Sequence, residues 1–157
     1  MGRLATPALI LAVIFAAIQL VPVDHSAAPA TGELAAPPEV ARILDAACYD
    51  CHSVRTRWPW YSRVAPVSWL AAHHVAAGRR RLNFSDWADY ASDPGTLAHK
   101  LDEIQEAVAD GSMAPWYYRM LHREARLSAA ERRAIALWAA GAAAAARRAD
   151  SSQKDSR

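Results

Sequence analysis

The chain has 157 residues, 53% of them hydrophobic and many of those alanine, which allows one domain plus extensions and excludes a disordered protein. Its formal charge of +2, with basic residues interleaved among acidic ones, leaves no electrostatic footprint for DNA or RNA.

Leu4 through Val21 is apolar apart from Thr6, Pro7 and Gln19. As a helix it would reach about 27 Å, close to the thickness of a bilayer core. Arg3 before it and Asp24 after it predict that the short N-terminus stays inside and the rest of the chain is exported. Residues 1–23 are therefore expected to form a retained single-span anchor. A cleaved signal is the alternative, although the small-x-small candidates Ala28 and Ala30 lie downstream, with Pro29 between them. Residues 24–37, rich in Ala, Pro, Thr, Ser and Gly and without an apolar stripe, are expected to be a flexible tether.

A domain over residues 38–148 follows. Pro38 suits the first turn of a helix in which Val40, Ile43, Leu44 and Ala47 recur at spacings of three and four, and this helix delivers Cys48. Cys48-Tyr49-Asp50-Cys51-His52 contains the only two cysteines of the chain and spells C-x-x-C-H, the attachment pattern of a c-type haem. Thiols at i and i+3 lie on one side of a helical turn, within reach of the two vinyl groups on one porphyrin edge. His52, at i+4 from Cys48, shares that side and can supply the proximal iron ligand. Tyr49 and Asp50 read as spacers without a role.

The competing uses of two close cysteines fare worse. A thioredoxin-like pair needs a strand-helix-strand context, and there are no β-rich runs here. A zinc site needs four ligands, and no second pair completes one. A disulfide across three residues would close almost no loop.

Next come Trp58-Pro59-Trp60-Tyr61 and Ala65-Pro66, which break helical continuity and concentrate aromatic surface. Trp58, Trp60 and Tyr61 are candidates to line a haem edge, with ordinary core packing as the competing role for each. Val67 to Gly78 predicts a short helix stopped by glycine, and Arg79 to Arg81 read as its solvated basic end. Ser85 is a candidate N-cap for a brief turn through Tyr90. Asp93-Pro94 then opens an amphipathic helix with Leu97, Leu101, Ile104 and Val108 on its core side and Gly111 as its stop. Ser128 and Glu131 form a capping box, predicting a last helix to about Arg148 with Ala130, Ala134, Leu137, Trp138 and Gly141 along one side. Residues 149–157 are polar and are expected to be a disordered tail.

A haem iron with one histidine has one position left. Met113 lies between a glycine helix stop and a proline, on a bent loop able to fold over the far face of the haem, whereas Met120 sits in a helical stretch and reads as core. Met113 is the leading candidate for the sixth ligand, with His73 or His74 and an open position as alternatives.

Taken together, these residues resemble a small class I cytochrome c. More narrowly, residues 20 to 141 resemble the bacterial haem-binding domain family of membrane-tethered, cytochrome-c-like proteins, through Gln19–Asp24, Cys48–Ser53, Arg57–Ser62, Ala65–Leu70 and Leu82–Trp87. The resemblance implies an all-α, cytochrome c-like domain around one covalent haem c held by Cys48, Cys51 and His52, with a methionine in the position of Met113. It also implies a domain facing the periplasm from a bacterial inner membrane, or soluble in the periplasm after signal cleavage. The chain departs from Gly-x-Met-Pro order by placing Ala114 between Met113 and Pro115.

The expected function is electron transfer with unidentified redox partner proteins. No general base, nucleophile or phosphate loop argues for an enzyme. A haem-based gas or redox sensor, or a weak peroxidase with an exchangeable sixth ligand, is the alternative that His73 and His74 motivate.

Overall fold

The structure, a computed structural model, describes residues 2–156. The fold is all-α as expected, and the pairing among the described residues is a single isolated bridge between Gly32 and Asp86.

The first helix, α1 (Gly2–Ile18), corrects one expectation. The helix foreseen over residues 4 to 21 ends at Ile18, and Gln19 enters a turn there. Its Nε2 donates to the carbonyls of Phe15 at 2.9 Å and Ala65 at 3.1 Å, and its Oε1 accepts from the Ala65 amide at 2.9 Å. Leu20 then lies in a turn and Val21 beyond the helix. Among the described residues, no helix is long and apolar enough to cross a membrane. Leu9, Leu11, Val13 and Phe15 of α1 are each at least half exposed.

The stretch expected to be a flexible tether is strapped to the domain. The amides of Thr31 and Gly32 donate to the Ser85 carbonyl at 2.9 and 3.1 Å, Leu34 donates to Phe84 at 3.1 Å, and Trp87 donates back to Gly32 at 2.9 Å. Leu34 is buried in the core. A composition without an apolar stripe hid this, because the strap is held through its backbone, which composition does not report.

The core is built from α2 (Pro38–Ala47), α6 (Pro94–Ala109) and α8 (Ala129–Asp155). Val40, Ile43 and Leu44 share one buried cluster with Leu101, Ile104 and Val108 and with the buried face of α8, Ile135, Ala139 and Ala143. Each fully buried side chain the size of Leu44 or Ile135 contributes roughly 1.5–3 kcal/mol. The predicted punctuation of α6 and α8 is present. Asp93 Oδ2 accepts from the Thr96 amide at 2.8 Å at the start of α6, Gly111 takes a φ of 73° past its end, and the Ser128 and Glu131 capping box opens α8.

Two details of α8 differ from expectation. Its buried face is the Ile135, Ala139, Ala143 side, leaving Leu137 62% exposed, because alanine occupies every side of this helix and close approach to α6 selects the face. The helix also runs on to Asp155 in place of the expected disordered tail. Lys154 pairs with Asp150 at 2.6 Å, and the Ser151 and Ser152 hydroxyls return to carbonyls four residues back.

The remaining elements surround the attachment motif: α3 (Tyr49–His52), a 3-10 turn (Trp60–Arg63), α4 (Val67–Arg81), α5 (Trp87–Ala91), α7 (Trp116–Leu121) and a second 3-10 turn (Arg123–Ala125).

Candidate haem-binding site

The C-x-x-C-H residues lie where α2 ends and the single turn α3 begins. The Cys51 and His52 amides donate to the Cys48 carbonyl at 3.2 and 3.0 Å, so one helical turn carries both thiols and the imidazole. The thiols are free, each half-buried. Burial pushes Cys48 up to about 12, with the charge of Cys51 adding to it, and pushes Cys51 up to about 11, so both are protonated at neutral pH.

His52 Nδ1 lies 2.9 Å from the Leu82 carbonyl oxygen. A carbonyl only accepts, so Nδ1 carries the proton and Nε2 keeps its lone pair. Burial lowers the His52 pKa, which favours the neutral imidazole that an iron requires. Two free thiols at the attachment spacing and one oriented, neutral imidazole therefore fit a haem.

The segment Leu82 to Trp87 is the seat of this turn. The Phe84 amide donates to the His52 carbonyl at 2.7 Å, and the Val54 amide donates to the buried Ser85 hydroxyl at 3.2 Å. Ser85 is thus a seat residue, and the N-cap position of α5 falls to Asp86. On the other side, Gly78 lies inside α4, which continues to Arg81 rather than stopping at the glycine. A Cβ at Gly78 would stand 2.5 Å from the Cys51 carbonyl oxygen, so the glycine permits close approach of α4 to the turn. Arg79 is no solvated helix end. Its guanidinium donates to the Ser53 carbonyl and the Thr56 hydroxyl, both at 2.8 Å, and to the Ser26 carbonyl at 2.9 Å.

The two spacers also have partners. Tyr49 is buried and stacks on Phe84 with ring centroids 5.0 Å apart, under the Arg55 guanidinium. Asp50 is buried, and both of its oxygens are engaged. Oδ1 accepts from the Arg57 amide at 2.9 Å and from Arg57 Nε at 3.0 Å, and Oδ2 accepts from the Tyr118 hydroxyl at 3.0 Å. Burial first, and the Asp50 carboxylate second, raise the Tyr118 pKa well above its usual value. These roles were invisible in the motif because each partner except Arg55 and Arg57 lies thirty or more residues away.

The lining candidates separate. Tyr61 is half-buried, and its hydroxyl bonds His122 Nε2. Trp58 meets His25 edge-on at 4.2 Å, and Trp60 is 77% exposed. Met113 lies on the loop between α6 and α7. Its amide donates to the Ala107 carbonyl at 3.2 Å, and its side chain is 37% exposed. His73 is exposed, and His74 stacks on Tyr117 with centroids 5.2 Å apart.

An all-α fold in which the turn from Cys48 to His52 carries two free thiols and an oriented imidazole has the donor set of a haem-binding protein. The family model of the haem-binding domain matches residues 13–141, and the chain belongs to that family. No curated protein and no solved structure matches the chain.

Proposed function

We propose that the protein is a mono-haem c-type cytochrome that carries electrons. The observation behind this reading is the single turn that holds Cys48, Cys51 and His52 together, with His52 Nδ1 committed to the Leu82 carbonyl. Cys48 and Cys51 would hold the haem through thioethers, His52 would be the proximal ligand, and Met113 the distal one. The haem would supply an iron that cycles between ferric and ferrous states. The chain's own contribution is to fix the tautomer of His52, to bury the turn away from water, and to offer a soft thioether, which favours the ferrous state.

The same reading takes the domain to be exported, acting on the periplasmic side of a bacterial inner membrane and passing electrons to redox partner proteins. Arg3 ahead of the apolar run of α1 supports export, and the exposed leucines of α1 support association with lipid. Nothing in this role calls for an enzyme's nucleophile or base.

The test is the absorption spectrum of the maturated, reduced protein before and after carbon monoxide. A low-spin c-type spectrum that carbon monoxide leaves unshifted is expected. A ready shift would remove the internal sixth ligand and favour gas sensing or peroxide chemistry. The exposure of Met113, and the half-buried His74 stacked on Tyr117 of α7, are what keep that second reading in view.

A further inference from the structure

α7 buries none of its residues, so apolar packing does not explain how it is tied to the rest of the domain. Three side-chain contacts do. Tyr118 donates to Asp50 Oδ2 at 3.0 Å, reaching directly into the C-x-x-C-H motif. His122, the residue after α7, stacks on Tyr118 with centroids 3.9 Å apart and planes 6° from parallel, and it bonds the Tyr61 hydroxyl through Nε2. Its Nδ1 lies 3.0 Å from Glu124 Oε1, a pure acceptor, so Nδ1 carries the proton and Nε2 accepts from Tyr61. The third contact, between Tyr117 and His74, is long at 3.4 Å.

Asp50 is a fixed post for this arrangement. Arg57 holds its other oxygen through two bonds, and Arg57 is itself tied to the Asp45 carbonyl at 2.7 Å. α7 begins directly after Met113-Ala114-Pro115, and its first turn closes on Pro115, whose carbonyl accepts from the Tyr118 and Arg119 amides. The Met113 loop therefore hangs between the end of α6 and an α7 that is pinned to the attachment turn.

We propose that Asp50, Tyr118, His122 and Tyr61 form a latch that holds the Met113 loop closed on the sixth position of the iron, with Asp50 and Tyr118 as positioning residues. This rests on the reading of Met113 as the distal ligand. The middle of the attachment motif then serves both faces of the haem. Cys48, Cys51 and His52 would hold the group, and Asp50 between them sets how firmly its opposite face is capped.

The experiment is carbon monoxide binding to the reduced, haem-loaded full chain, wild type against Tyr118→Phe, which keeps the ring stacked on His122 and removes only the donor. The variant should retain covalent haem and helical content and bind carbon monoxide about tenfold tighter, a change of about 1.4 kcal/mol. A charge-transfer band from thioether-ligated ferric iron should weaken in parallel, which a general loosening of the fold would not produce selectively. If the wild type excludes carbon monoxide and Tyr118→Phe excludes it equally, the latch is overturned and the carrier reading survives. If the wild type itself binds carbon monoxide readily, the closed sixth position is lost and the latch with it.

Should Tyr118→Phe fail to accumulate, Tyr61→Phe decides the matter, since it keeps the ring and removes the donor to His122. It should retain covalent haem and bind carbon monoxide more tightly than the wild type. Carbon monoxide binding equal to the wild type's would overturn the latch.

Discussion

The turn from Cys48 to His52 and the stretch from Met113 to Leu121 are built by different means. The turn is seated by backbone: the Leu82 carbonyl holds the imidazole, the Phe84 amide holds the His52 carbonyl, and α4 approaches the Cys51 carbonyl closely enough to require glycine. The Met113 stretch has no buried residue in its helix and is held by side-chain bonds, Tyr118 to Asp50 and His122 to Tyr61. Backbone seats are costly to move because every displaced amide or carbonyl must find a new partner, whereas side-chain struts can be released one at a time. A permanent ligand belongs on the first kind of support, and an adjustable one on the second.

The largest effect should come from the turn itself. On the proposed cytochrome reading, His52→Ala should leave haem attached through Cys48 and Cys51 and abolish low-spin iron. A normal low-spin spectrum in that variant would sink the assignment of the proximal ligand.

Gly78→Ala should come next. Its Cβ meets a backbone oxygen that cannot rotate away, and the cost should be roughly 1–3 kcal/mol by thermal or denaturant unfolding. Gly141→Ala is the internal control. A Cβ there meets nothing within 4 Å, and the exchange in mid-helix should stabilise by roughly 0.5–1 kcal/mol. Equal shifts for the two would show that α4 does not need its close approach.

Met113→Ala should keep covalent haem and lower the reduction potential by at least ~59 mV, a tenfold loss of preference for the ferrous state. An unchanged potential would remove Met113 from the iron. The smallest effect belongs to the outer surface of α7: Leu121→Ser, at a position 69% exposed, should change stability by no more than about 0.5 kcal/mol. A larger loss would mean that α7 is held by apolar packing after all, and the contrast between the two supports would fail.

What the sequence disclosed follows the range of the interactions. C-x-x-C-H, the Asp93-Pro94 start, the Gly111 stop and the Ser128 capping box are local devices, complete within a few residues, and they were legible. Gly78 was legible as a glycine but not as a contact, since a helix stop and a close approach use the same residue for different reasons and only the position of Cys51 decides between them. Tyr49, Asp50, Ser85 and Arg79 act on partners remote in sequence, so their neighbours gave no sign of their work. The α8 stripe was placed only in part, with Ala134 and Trp138 against the core and Leu137 exposed, because an alanine-rich helix has no single apolar side until α6 supplies a surface to fit. The strap over residues 31–34 was missed for a related reason, being recognised by carbonyls and amides that every residue possesses.

That strap has a bearing on timing. A loose leash lets a domain sample many separations from whatever holds its other end, and an electron, whose hopping rate falls steeply with distance, then sees a spread of rates. Here the Gln19 amide is clasped to Ala65 and the chain after it is bonded to the Phe84 and Ser85 carbonyls of the His52 seat, so the chain between α1 and the imidazole is anchored at several points. For a carrier of the kind proposed, the hop would have one tempo, set by geometry instead of by averaging.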